Sequence, residues 1–521
     1  MILDARSVPS GTTIETEVCI VGAGAAGITL AREFIDAPFR VVLLESGGMD
    51  CDMPTQELYE GESIGVPFIP MMASRLRYFG GTTNHWGGYC LPLDPIDFEP
   101  REYFPYHGWP FPKSHLDPWY ARAHEVCRLG RYDYRPSSWG IAAAKIPPPF
   151  SGPTFETKLL QENPVRFGPF YSSELRNAPR VATYLHANAF HLDASETDAE
   201  VKELAVRTLS GGKVTVRARI YVLAAGGIEN ARLLLASGPE EGNGLGNERD
   251  LVGRFFMLHL NYTAGTIIPS SPYANVDFQT KGTWIPGQFR IDPFIGLSET
   301  SMRDFHLPNF MIGFVFKFGE VVEAVDALNR LVHGEGPGES TLADLSKVIR
   351  NFEGVTDFAV RKLLLGEGKP IESIRVWGQS EQQPNPQSRV ALGPKRDRLG
   401  MREIVADWQL APEDRSKTAA IVRLLGTEIG RAGFGRVRSG FGEDGTWPAD
   451  FQGNEHQMGT TRMHRDPTLG VVDENCRLHT VSNLYIAGSS VFPTGGASNP
   501  TLTIVALALR LADHIKGKLR L

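Results

Sequence analysis

The chain has 521 residues, which suggests two large domains rather than one small core. Its composition, 42% hydrophobic and 22% charged with a net charge of −7 and no dense Lys/Arg tract, is that of a soluble globular protein, and it argues against a general affinity for nucleic acid. The five cysteines (Cys19, Cys51, Cys90, Cys127 and Cys476) are scattered without C-x-x-C spacing, so neither a metal site nor a disulfide framework is indicated. The N-terminus lacks a basic run leading into an apolar segment, and no run of about 20 uncharged apolar residues occurs. The expectation is a cytoplasmic protein without signal peptide, membrane span or metal.

Residues 15–48 carry the first strong signal. The run 18–21 predicts a buried parallel strand, 25–34 has helix-forming composition, and 41–44 is a second short apolar run. Between strand and helix, Gly22, Gly24 and Gly27 form a G-x-G-x-x-G turn. In such a turn the first glycine allows the tight bend, the second lets the backbone approach a pyrophosphate, and the third lets helix and strand pack closely. The helix beginning at Ala25 and Ala26 would offer N–H groups and partial positive charge to phosphates. Glu45, with Ser46 after it, stands about 20 residues on, where an acid accepts hydrogen bonds from a ribose diol. This pattern predicts a dinucleotide, FAD or NAD in preference to NADP.

Pro54, Pro67 and Pro70 break regular structure in the following stretch. In Gly80-Gly-Thr-Thr-Asn-His-Trp-Gly-Gly88, two glycine pairs flank a polar and aromatic centre. This suits a loop wrapping a planar ligand, with Gly81, Thr82, Asn84, His85, Trp86 and Gly87 as contacts. Residues 91–150 are rich in Pro and aromatics, and about 91–180 are expected to form an irregular loop or arm region. A helix after Pro118 carries 120–129, and the connection 136–155 suits a lid or a partner interface.

Strands are expected at 181–189, 201–207 and 214–219. Ile220-Tyr-Val-Leu-Ala-Ala-Gly-Gly follows as a further strand, a small-residue turn and a helix. Ala225, Gly226 and Asn230 mark this second place where a turn can meet a cofactor. Residues 261–455 alternate strand-like runs (310–318, 373–378, 389–392) with helical ones (319–333, 341–351, 413–432). They are expected to form a substrate domain of a sheet covered by helices, with Gln379, Glu381 and Gln383 as candidate polar contacts. His259 is expected as a packing or domain-boundary residue. In the tail, 483–490 is a strand entering a small-residue turn at Gly488 and Ser489. Asn499-Pro500-Thr501 leads into a helix at 504–515, with Thr501 placed like an N-cap. The fold class is therefore α/β. A discontinuous Rossmann-like domain (1–260 and 456–521) is interrupted by the inserted sheet-plus-helices domain (261–455).

Taken together, the fingerprint 22–45, the loop 80–88, the turn Ala224-Ala-Gly-Gly-Ile-Glu-Asn230 and the tail from His456-Gln-Met-Gly459 to Asn499-Pro-Thr501 resemble the glucose–methanol–choline (GMC) oxidoreductases over nearly the whole chain. Within that family, His456-x-x-Gly459, the stretch 471–479 and Asn499-Pro-Thr501 are most similar to the pyranose 2-oxidase and bacterial glycoside 3-oxidase branch, with fructose dehydrogenase-like enzymes also near. The resemblance implies FAD as cofactor and a catalytic His–Asn pair, His456 and Asn499. His85 aligns with a histidine that is covalently linked to the flavin in pyranose oxidases, and both linked and unlinked forms stay open. Gly87 stands where that loop has Thr, so a side chain near flavin N5 is missing.

The implied chemistry removes a hydroxyl proton and a hydride from one carbinol group. His456 is the expected base, because a histidine pKa lies near neutrality, and Asn499 would orient the hydroxyl. Thr501 and its helix N-terminus would favour negative charge on the reduced ring. His464 and His479 are close in sequence, and His479 is expected to be structural, in a strand before Asn483. The leading expectation is oxidation of a secondary alcohol of a sugar or glycoside. A non-sugar alcohol and a redox-silent lyase are the alternatives. Oxygen, quinone or a partner protein could accept the electrons, and an oligomer is possible.

Overall fold

The computed structural model describes residues 1–141, 148–195, 199–238, 243–273, 283–285, 289–333, 341–365 and 370–519. The expected connection 136–155 thus lies partly, at 142–147, outside the described residues.

The Val-, Ile- and Leu-rich runs of the N-terminal part form a mixed sheet. Its parallel portion runs in the order Ile2–Asp4, Val181–Leu185, Val41–Leu44, Thr12–Val21, Lys213–Leu223, with Leu484–Ile486 also beside Lys213–Leu223. Val201–Arg207 and Asn188–Ala194 extend the sheet antiparallel. Strands buried on both faces read as continuous apolar runs, and Val41–Leu44 is buried at every position. Helices Ala25–Glu33, Lys113–Val126 and Thr501–Leu519 pack against one another beside this sheet.

Register decides where a ligand can sit. Leu223 lies opposite both Val21 and Ile486, and Val21 lies opposite Leu44. Four parallel strands therefore end level, and their turns open at one carboxyl edge, where open α/β sheets bind ligands.

A second, antiparallel sheet runs Gly435–Ser439, Leu260–Pro269, Ile371–Ser380, Phe310–Phe318, Phe289–Leu297, Phe155–Glu162, Tyr89–Cys90. Asn261 lies opposite Gln379, and Trp377 is two residues earlier on the same strand. The period of two puts all three side chains on one face. A small third sheet joins Arg389–Arg396, Arg402–Trp408 and Gly61–Gly65. No helix among the described residues is long and apolar enough to cross a membrane.

Several local expectations change. The run 181–189 is two strands, Val181–Leu185 and Asn188–Ala194, separated at His186 with φ 56°. The expected strands at 214–219 and 220–223 are one, Lys213–Leu223, because the strand is long enough to pair with Val201–Arg207 at its start and with Leu484–Ile486 at its end. The helix placed after Pro118 begins at Lys113, with Pro118 in its second turn. The region 91–180 is far from irregular, since it holds that helix, Phe155–Glu162 and Phe167–Asn177. Thr501 is the first helical residue rather than the cap. His479 lies in a bend, not a strand, with Nε2 2.9 Å from the His464 carbonyl. Phe289–Leu297 escapes sequence reading because Pro293 interrupts its pattern. The neighbouring Phe310–Phe318 pairs with it only at Ile295 and Gly296, so Pro293 faces no ladder partner on that side.

Candidate active site

The level strand ends open into a cavity of about 740 Å³. One wall is backbone. Gly22, Gly24, Ala25, Ala26, Ala225, Gly226, Gly488 and Ser489 line it, as do Glu45 and Ser46. Gly22 has φ +103°, and a Cβ there would lie 2.6 Å from the Ala224 carbonyl oxygen. Gly24 and Gly226 are different: a Cβ on either meets nothing within 4 Å and would project into open space. Gly27 does not line the cavity, and its Cβ would lie 1.8 Å from the Gly22 oxygen, so it seats the helix against the turn. Glu45 accepts from the Ala23 N–H at 3.0 Å and the Gly47 N–H at 2.8 Å.

The loop after Phe79 folds over this wall. The Gly80 N–H donates to the Ala23 carbonyl at 2.8 Å, and Gly80 and Gly81 take φ of +98° and +53°. Gly81, Thr82, His85, Trp86 and Gly87 line the cavity, with His85 exposed into it. Trp86 donates its indole N–H to Val165 O at 2.9 Å. Asn84 is absent from the lining. It braces the loop, donating to Phe79 O at 2.8 Å and accepting from the Gly168 N–H at 3.1 Å. Asn230 is also behind the wall. It accepts from the Ala225 N–H at 2.8 Å and donates to Ala487 O and Ser490 Oγ, tying two turns together.

Arg75, Arg77, Tyr59 and Glu229 also line the cavity and had no sequence signal beyond the cationic pair in Ser74-Arg-Leu-Arg77. Glu229 pairs with Arg75 at 2.8 Å, Arg77 at 3.4 Å and Arg232 at 3.3 Å. Burial alone would raise its carboxyl pKa, but Arg232, then Arg75 and Arg77, outweigh that and hold it at about 2.

Another part of the lining is built from side chains. His456, Asn499, Pro500 and Thr501 line the cavity with Asn454, Gln379, Asn261, Trp377 and Tyr89. Asn454 Oδ1 accepts the backbone N–H groups of His456 (3.0 Å) and His259 (3.3 Å). Its Nδ2 therefore points at Gln379 Oε1, 3.2 Å, and His456 Nδ1, 2.7 Å. Gln379 Nε2 donates to the Ala497 carbonyl at 2.7 Å, and at 3.1 Å to Asn499 Oδ1. With its oxygen so engaged, Asn499 keeps Nδ2, a donor, for the cavity. His456 Nδ1 also lies 2.9 Å from Nδ1 of the fully buried His259. Burial, with His259 adding to it, pushes His456 well below the usual histidine range, and burial holds His259 at about 4, so both rings are neutral at pH 7.

Gln379 thus serves the network rather than standing free for a ligand. Glu381 and Gln383 do not line the cavity. Glu381 is fully buried, 2.6 Å from Arg101 and 3.0 Å from His107, and Gln383 donates its backbone N–H to Asp414 at 3.1 Å. His259, expected as a packing residue, is in contact with His456, whereas His464 and His479 do not line the cavity. Asn454, two residues before His456, was missed, although that proximity was visible.

The residues fit FAD. Three turns and three helix N-termini line one cavity, its glycines Gly24 and Gly226 leave the space a side chain would fill, and Glu45 sits beside the first turn.

Known proteins resemble this chain in sequence and in fold. Residues 384–508 match the model of the GMC oxidoreductase family (C-terminal part). The chain is 27% identical to 6'''-hydroxyparomomycin C oxidase of Streptomyces lividus, covering 96% of this chain and 92% of that protein. A local stretch is 45% identical to C-glycoside 3-oxidase of Arthrobacter globiformis, over 12% of each chain. The crystal structure of pyridoxine 4-oxidase from Mesorbium loti superposes with a TM-score of 0.56 at 18% identity, covering 96% of this chain and 98% of that one, a likeness of fold.

Proposed function

Because the chain belongs to the GMC oxidoreductases, FAD enzymes that act on alcohol groups, we propose that it oxidises a secondary alcohol of a sugar or glycoside to the ketone, with His456 as base. The observation that carries this reading is the placement of His456 and Asn499 in the cavity of the glycine turns, joined through Asn454 and Gln379. FAD, held by the turns at Gly22–Gly27, Ala225–Gly226 and Gly488–Ser489, supplies the hydride-accepting chemistry when bound.

The rest of the work falls to the chain's own side chains. His456 Nε2 takes the hydroxyl proton, and a neutral ring at pH 7 is ready to do so. Asn499 Nδ2 donates to the same oxygen and stabilises the charge that develops there as the proton leaves. Proton and hydride together account for the two hydrogens lost from the carbinol. Asn261, whose buried Oδ1 has no partner among the described residues, lines the cavity with Trp377 and supports a polyhydroxylated substrate more than an apolar alcohol. The names of the Streptomyces and Arthrobacter relatives, oxidases of 6'''-hydroxyparomomycin C and of C-glycosides, support the same class.

The exposure of His85 into the cavity supports a covalent link to the flavin through that ring. Acid precipitation of the holoenzyme then leaves the yellow colour in the pellet, and His85→Ala moves it to the supernatant.

An anaerobic absorbance titration with sugars, glycosides and simple alcohols tests the reading. Bleaching of the flavin band by a sugar or glycoside, slowed about a hundred- to ten-thousand-fold in His456→Ala with the flavin retained, is the expected result. Bleaching by simple alcohols alone would overturn the substrate class, and an absence of bleaching by any alcohol would overturn the reaction.

A further inference from the structure

His456 has to present Nε2 without a proton if it is to act as a base, and the structure holds two neighbours that oppose each other over that proton. Asn454 Nδ2 lies 2.7 Å from His456 Nδ1. The Asn454 amide cannot turn round, because its oxygen accepts the backbone N–H groups of His456 and His259. As a fixed donor it favours an unprotonated Nδ1, which puts the ring's one proton on Nε2 and blocks the base. His259 pulls the other way. Its Nε2 faces the Gly495 carbonyl at 3.4 Å, and a backbone carbonyl can only accept. The His259 proton therefore belongs on Nε2, leaving a lone pair on Nδ1 directed at His456 Nδ1, 2.9 Å away. Two lone pairs facing each other at that distance repel, whereas a proton on His456 Nδ1 makes a hydrogen bond to His259.

Resting on the assignment of His456 as base, we infer that His259 is a positioning residue that accepts the His456 Nδ1–H and so frees His456 Nε2 to take the substrate proton. His259 is suited to this role by its surroundings. It is fully buried, its ring lies edge-on to His456 at 82° with centroids 5.0 Å apart, and burial keeps it neutral, so its lone pair stays available. The same hydrogen bond strengthens once His456 has gained its second proton, because the donor is then an imidazolium. Tautomer control by the partner of a ring's second nitrogen is a general property of histidine sites.

The test reads the tautomer directly. In flavin-loaded enzyme with ¹⁵N-labelled histidine, the nitrogen signals of His456, assigned by their loss in His456→Ala, are recorded without any alcohol present. The wild type is expected to carry its proton on Nδ1. In His259→Leu, with Asn454 unopposed, the proton moves to Nε2, and the rate of flavin reduction falls about a hundredfold or more while substrate affinity is kept. Replacing the opposing donor by an acceptor, His259→Leu with Asn454→Asp, is expected to return the proton to Nδ1 and recover at least about tenfold of the lost rate, a rescue that a merely structural His259 would not give. A wild-type proton on Nε2, or a proton that stays on Nδ1 in His259→Leu, would overturn the inference. These signals need no substrate. If no alcohol bleaches the flavin, the reading of the function fails, and the tautomer result still stands or falls by itself.

Discussion

The two ends of the cavity are built by different means. At the cofactor end the wall is backbone. Turns after Val21, Leu223 and Ile486 sit level because parallel register places those strand ends together, and what each turn needs is the absence of a side chain. At the substrate end a network of side chains, braced by backbone groups, does the work, and the partners come from positions as far apart as His259, Gln379, Asn454, His456 and Asn499. The lesson is that the first end should fail by losing its ligand, and the second by losing its proton order while the ligand stays bound.

The comparison breaks most readily at Gly27. A Cβ there would lie 1.8 Å from the Gly22 oxygen, which cannot move without displacing the turn. Gly27→Ala is therefore expected to yield protein with little bound flavin, read as the ratio of flavin to protein absorbance. A fully loaded Gly27→Ala protein would remove the distinction between the two ends.

Glu229 sharpens the comparison, since it is one of the side chains, with Glu45, Arg75 and Arg77, that line the cavity beside the glycine turns. Its buried carboxylate pairs with Arg75, Arg77 and Arg232, and Glu229→Gln is expected to cost about 3–5 kcal/mol in a denaturant titration, because it leaves the buried Arg75 and the half-buried Arg77 without their carboxylate, while Arg232 keeps Asp397 at 2.8 Å. The pH dependence follows with its sign. The folded pKa, about 2, lies below the ordinary 4.5, so the stabilisation is complete above pH 4.5 and is lost as the pH falls from there toward 2. The shift corresponds to about 3 kcal/mol. Thermal melts across that window should show a steeper slope in the wild type than in Glu229→Gln.

At the substrate end, Gln379→Leu frees Asn499 to rotate and leaves Asn454 Nδ2 with one partner fewer. Flavin reduction is expected to slow about tenfold with flavin content unchanged, in line with a lost hydrogen bond of about 1–1.5 kcal/mol. A smaller effect, visible only in acid, concerns His456. Because burial and His259 hold its pKa well below 6.5, the reduction rate should stay level as the pH drops through 6.5 and decline only beyond it. A decline centred at 6.5 or above would mean that the ring is solvated during turnover.

The same contrast explains what could be read from the sequence. Gly22, Gly24, Gly27 and Glu45 lie within one strand–turn–helix–strand unit, so their spacing alone carries the geometry. The strands 201–207 and 310–318 coincide with Val201–Arg207 and Phe310–Phe318, because their alternation and β-branched or aromatic content are local properties. Phe155–Glu162 and Tyr89–Cys90 were not legible as parts of the antiparallel sheet, since their partners lie far away in sequence, with whole elements such as the helix Lys113–Val126 in between. His259 gave no sign of its contact with His456 for the same reason. Glu381 and Gln383 carried the polarity of a binding site, yet polarity does not distinguish a side chain lining a cavity from one buried behind it, as Glu381 is in its ion cluster with Arg101 and His107.

The central claim is that one cavity holds the flavin at its backbone end and removes a carbinol proton at its side-chain end through His456. The most direct measurement is the anaerobic rate of flavin reduction by a glycoside carrying hydrogen or deuterium on the reacting carbinol carbon, in wild type and His456→Ala. The account predicts slowing by deuterium in the wild type and a rate about a hundred- to ten-thousand-fold lower in His456→Ala at equal flavin content. An unchanged rate in His456→Ala, or reduction of the flavin insensitive to the deuterium, would contradict it.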